Sequence, residues 1–169
     1  MYKNTTKQIF IQEPFPEIIN LNIGWDQINN SYSDILNFSV SIPLKMRPDE
    51  IFNIKNQSYE SSRRDTGYIL RGVVCFIGAH YMTYLKQLNN NGFIEWRLYN
   101  DSSQVQRYRG WIDILNQVLE LGQQPTLLIY EKLTPKNMQY DRNEQVTYSD
   151  LVRIFQKQKE LQEPVDAFY

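Results

Sequence analysis

The stretch from Tyr68 to Tyr99 leaves this chain little choice of fold. Tyr68-Ile69-Leu70 and Val73-Val74-Cys75-Phe76-Ile77 are rich in β-branched and aromatic residues around Gly72, and predict a strand over 68–77 with a bulge at the glycine. Segments 80–88 and 93–99 predict two further strands, and Asn89-Asn90-Asn91-Gly92 between them forms a hairpin loop whose glycine supplies a positive φ. Strands joined so tightly pair antiparallel.

The flanking sequence adds helices and two more strands. In 17–25, Ile19, Leu21, Ile23 and Trp25 alternate with Asn20, Asn22 and Gly24, the period of a half-buried strand. Pro14 and Pro16 make 1–15 an irregular lead-in. Ser33-Asp34 predicts the start of a short helix running to about Val40, and Pro48-Asp49-Glu50 another helical turn. Segment 53–66 is polar and reads as a flexible loop, with Arg63-Arg64 at a solvated tip. Trp111, Ile112, Ile114, Leu115, Val118 and Leu119 recur at helical spacing, so 109–121 is expected to be an amphipathic helix capped by Gly122. Pro125 then opens the buried strand Thr126-Leu127-Leu128-Ile129-Tyr130, and Trp25, Trp96 and Trp111 read as core anchors.

After Glu131 the sequence turns polar, and 134–146 is expected to be irregular. Thr147 or Ser149 caps a last helix, about 149–162, with Leu151, Ile154, Phe155 and Leu161 along one side and Pro164 as its stop. It either packs on its own domain or docks on a partner. The expected fold is α+β: a mainly antiparallel, twisted sheet with a few short helices over 16–133, and a C-terminal helical arm within 134–169. The length of 169 residues suits one domain.

Composition excludes several functions. Lys and Arg total 18 against 19 Asp and Glu, leaving no basic footprint for nucleic acid. With one cysteine and one histidine, neither a disulfide nor a Cys/His zinc site is available, so no metal or cofactor is expected. The lone thiol fits a reducing intracellular compartment, with the cytoplasm the first expectation. The apolar runs are strand-sized, which argues against membrane insertion, and Met1-Tyr2-Lys3-Asn4-Thr5-Thr6 does not read as a signal peptide. Asn and Gln are abundant while alanine occurs only at Ala79 and Ala167, a pattern read as codon bias.

Chemistry concentrates around the single histidine. If 89–92 closes a hairpin, His80 and Asn100 fall opposite or nearly opposite on neighbouring strands, where Cβ atoms are about 5 Å apart. Asn100 would then orient the imidazole by one nitrogen and leave the other as a proton acceptor, two parts of a catalytic triad. On these grounds the plainer reading leads: a histidine at a strand start is more often structural or a surface residue, and Asn or Asp after a strand commonly forms a turn.

Four segments carry a resemblance. Val74-Cys75-Phe76-Ile77-Gly78-Ala79-His80-Tyr81-Met82-Thr83-Tyr84 and Trp96-Arg97-Leu98-Tyr99-Asn100-Asp101-Ser102-Ser103-Gln104-Val105 resemble the histidine box of the ubiquitin-specific proteases. Gln124-Pro125-Thr126-Leu127-Leu128-Ile129-Tyr130-Glu131 is similar to that family's last core strand, and Pro16-Glu17-Ile18-Ile19-Asn20-Leu21-Asn22-Ile23-Gly24-Trp25 to the first palm strand of its divergent branch without zinc-binding fingers. The resemblance implies the palm half of a papain-like cysteine protease over 16–133. His80 would be the general base, Asn100 its orienting partner and Asp101 a supporting acid.

The same resemblance exposes a gap. The family's nucleophile sits in a Cys box at the N-terminus of a thumb helix, and nothing here corresponds to it. Cys75 lies inside an apolar strand and reads as core. The chain is therefore expected to be inactive alone. Three roles follow: a non-catalytic scaffold whose palm face and C-terminal arm are covered by a protein partner, one piece of a deubiquitinase completed by a separate chain, or a module that binds ubiquitin without chemistry.

Overall fold

The computed structural model describes residues 15–25, 31–48, 67–101, 105–138 and 146–162. Seven strands make one antiparallel sheet: β1 (Ile18–Asn22), β2 (Lys45–Met46), β3 (Tyr68–Ile77), β4 (His80–Leu88), β5 (Ile94–Tyr99), β6 (Gln106–Tyr108) and β7 (Gln124–Lys132). Their order is β1-β7-β3-β4-β5-β6, and β2 pairs with the start of β3. The helices are α1 (Tyr32–Ser41), α2 (Trp111–Glu120), α3 (Pro135–Met138) and α4 (Tyr148–Gln162). The fold is α+β with a mainly antiparallel sheet, as the sequence predicts.

The strand register sorts side chains onto two faces. Val73 stands across from Tyr84 and Leu128, Tyr84 from Leu98, and Ile19 from Tyr130. These residues, with Cys75 and Trp96, form the core with the buried sides of α1 and α2. Trp96 and Trp111 meet there with ring centroids 5.5 Å apart, and half-buried Trp25 donates from Nε1 to the Pro125 carbonyl at 2.7 Å. The second face bears half-buried Val74, Leu85, Leu127 and Ile129, none of which joins that core cluster.

Capping explains where the helices stop and start. Ser31 and Asp34 exchange side-chain and backbone bonds in a capping box that opens α1. At the end of α2, Gly122 takes φ +63°, its N–H bonds Leu119, and the Gln123 N–H bonds Val118 at 2.8 Å. Those two bonds make a Schellman turn, which needs a residue at ease in the left-handed region. The bulge expected at Gly72 is present as a register shift between Leu70 and Gly72.

Some expectations are corrected. Strands β2 and β6 arise where none was expected, and α3 interrupts a segment read as irregular, held by Thr134 N–H on Asn137 Oδ1 at 2.7 Å. In α4, Ile154 is fully buried and Lys157 pairs with Glu120 of α2 at 2.8 Å, but Phe155, expected on the packed side, is exposed. The lead-in to residue 14, the helix beyond Pro48, loop 53–66 and Pro164 lie outside the described residues. Among the described residues no helix is long and apolar enough to cross a membrane.

Candidate functional site

The site forms where two hairpins meet. Ile77 and His80 face each other in the last rung of β3 and β4, leaving only Gly78 and Ala79 as the turn. The β4–β5 ladder ends at Thr83 opposite Tyr99. Carried one rung further, that register sets Met82 level with Asn100, so half-buried Asn100 lies two residues out of step with His80. The chain bends at Asp101, whose Oδ2 comes to 3.4 Å from His80 Nδ1. Of the candidate residues, Asp101 is thus placed at ion-pair distance from the imidazole.

Both partners of this pair face solvent. The His80 side chain is 37% exposed and that of Asp101 94%. In water such a pair is weak, about 0–1 kcal/mol, and adds little to the stability of the fold. If Nδ1 carried its proton toward that carboxylate, Nε2 would be free to accept one. Such an arrangement could do base-and-orienter chemistry only with a nucleophile in reach.

Cys75, the chain's one thiol, cannot serve from where it stands. It is fully buried on the core side of β3, between Met82 and Pro125, and burial pushes its thiol well above the ordinary range. A buried neutral thiol is not nucleophilic.

Behind the pair lies a buried polar network that sequence reading missed. Gln123, fully buried, accepts from the Tyr84 hydroxyl at 2.8 Å and donates from Nε2 to Met82 Sδ at 3.2 Å. It ties the end of α2 to β4 two residues from His80. The available signal was Gly122, whose Schellman turn directs the next side chain under the sheet. On the opposite face Phe76 and Tyr81 stack across the hairpin with centroids 5.1 Å apart, and Tyr81 is largely exposed. Among the described residues no three His, Cys, Asp or Glu side chains gather as metal ligands. The chain matches no protein-family model and no curated protein sequence.

Proposed function

We propose that this chain is a palm half-domain of the ubiquitin-specific protease type, papain-like in fold, that keeps the base and its orienting groups without a nucleophile. It acts as a non-catalytic scaffold subunit in a larger intracellular assembly. One observation carries the reading: His80 and Asp101 stand 3.4 Å apart at the strand ends while the chain's one thiol is sealed in the core. Asn100, one residue from Asp101, is the other family position retained. The half-buried apolar centre of the second sheet face, Val74, Leu85, Leu127 and Ile129, supports a protein partner there.

A partly exposed imidazole also favours a second reading, in which another chain brings the Cys box and completes a deubiquitinase. Hydrolysis of a fluorogenic ubiquitin C-terminal amide separates the two. The isolated chain is expected to be inactive, as is its native complex. Turnover by the complex that disappears in His80→Ala would replace the scaffold by the split enzyme. Titration of the labelled chain with ubiquitin tests the remaining role, binding without chemistry, through shifts near His80.

A further inference from the structure

Among the described residues only one non-glycine has a positive φ: Ala79, at +79°, directly before His80. Gly78 precedes it at +51°, so both turn residues are left-handed, the type I′ geometry that matches the twist of paired strands. Glycine enters this region freely, whereas alanine crowds its Cβ against the backbone. Ala79 is exposed, so burial of its methyl does little to offset that crowding. Its effect is on freedom of the chain. Whenever the turn opens, glycine could also visit mirror-image extended conformations closed to other residues, whereas alanine at positive φ has one narrow well. His80 enters β4 at the Ile77–His80 rung, with its Nδ1 3.4 Å from a carboxylate that is almost wholly solvated. A pair so exposed is weak and loses side-chain entropy to hold one geometry, so anything that narrows the freedom of a partner favours it.

We propose that Ala79 is a positioning residue for His80: its narrow left-handed well fixes the direction of the imidazole and keeps Nδ1 facing Asp101. The inference rests on reading His80 and Asp101 as the working end of the site, but not on which substrate or partner that site meets.

The test uses the full chain with nitrogen-15 in the histidine ring, in mildly alkaline solution where imidazole is neutral. Ring shifts then report the ratio of the two tautomers. The wild type is expected to favour the proton on Nδ1, and Asp101→Ala to abolish that preference. Ala79→Gly is expected to reduce the ratio by about twofold or more, toward the Asp101→Ala value, with no fall in melting temperature because strain is relieved. Ala79→Asn, which tolerates the left-handed region without glycine's freedom, is expected to retain the wild-type ratio. An unchanged ratio in Ala79→Gly overturns the proposal. So does a loss shared by Ala79→Asn and accompanied by a lower melting temperature, which would make Ala79 a plain hairpin residue. If the wild-type ratio already equals that of Asp101→Ala, the pair itself is absent, and the reading of the site fails with the proposal.

Discussion

The Tyr84 hydroxyl donates a buried 2.8 Å hydrogen bond to Gln123, a residue held under the sheet by the turn that ends α2. Tyr84→Phe would leave the Gln123 oxygen buried without its donor. A loss of about 1–2 kcal/mol is expected, read as a lower urea midpoint at unchanged slope. In a double-mutant cycle with Gln123→Met the two losses should not add, with a coupling of about 1 kcal/mol. Simple additivity would show that the bond contributes nothing.

Gly72 sits where β3, β4 and β7 crowd together. A Cβ there would lie 2.7 Å from Leu85 Cδ2 and 3.2 Å from Ile129 Cδ1, with the Tyr84 carbonyl oxygen at 3.4 Å. Gly72→Ala is therefore expected to destabilise by about 1 kcal/mol, since the half-buried ends of Leu85 and Ile129 must shift while the Tyr84 carbonyl is fixed in the backbone. Trimming the nearer one, in Gly72→Ala with Leu85→Ala, should cost less than the sum of the two singles. Thermal unfolding of the four proteins checks this.

Ser39 of α1 is buried, and its hydroxyl has no hydrogen-bond partner among the described residues. Burying an unpaired hydroxyl is costly, and alanine is the better helix former. Ser39→Ala should accordingly raise stability by about 1 kcal/mol. A drop in the denaturation midpoint would reveal an unseen partner for the oxygen.

Tyr68 should contribute to the pH dependence of stability in alkali, alongside the other buried phenols and the Cys75 thiol, all of which burial raises. Burial, aided by the Glu17 carboxylate, raises the Tyr68 phenol from 10.0 to about 12. Its hydroxyl also donates to the Pro16 carbonyl at 2.6 Å. In the unfolded chain the phenol ionises first, so its contribution is intact below pH 10.0 and is lost as pH climbs toward about 12. The slope from this group is at most about 1.4 kcal/mol per pH unit. Urea titrations at successive pH values should show the decline, and Tyr68→Phe should make it shallower. Identical slopes in the two proteins would contradict the assignment.

How much of this was legible depends on what fixes each element. Strands β3 and β4 end where the sequence suggests, because apolar runs and a two-residue turn set them locally. Helix α2 and its Gly122 cap were equally plain, and Trp96 and Trp111 lie buried in contact as their size implies. Strand β6 was hidden because Gln106, Arg107 and Tyr108 form a polar edge, made a strand only by pairing with Leu98, Arg97 and Trp96. Helix α3 depends on side-chain bonds between Thr134 and Asn137 that no periodicity reports. In the site, spacing placed His80 near the end of β5. Which carboxyl or amide comes round to the ring depends on the rung at which the ladder stops and on the bend after it, and neither leaves a hydrophobic pattern.

The place of β7 between β1 and β3 governs how this protein can be made. Trp25 reaches the Pro125 carbonyl across 100 residues, and Ile18 waits for Glu131. As the chain leaves the ribosome, β3, β4 and β5 find one another at once, since each follows its neighbour. Strand β1, translated earlier, has no hydrogen-bonding neighbour until the last strand emerges, and its Ile19 and Leu21 stay wet meanwhile. Closure of the sheet thus waits for β7, with α3 and α4 still to follow, and a nascent chain stalled before Gln124 is left with two unzipped edges rather than a smaller version of the same fold.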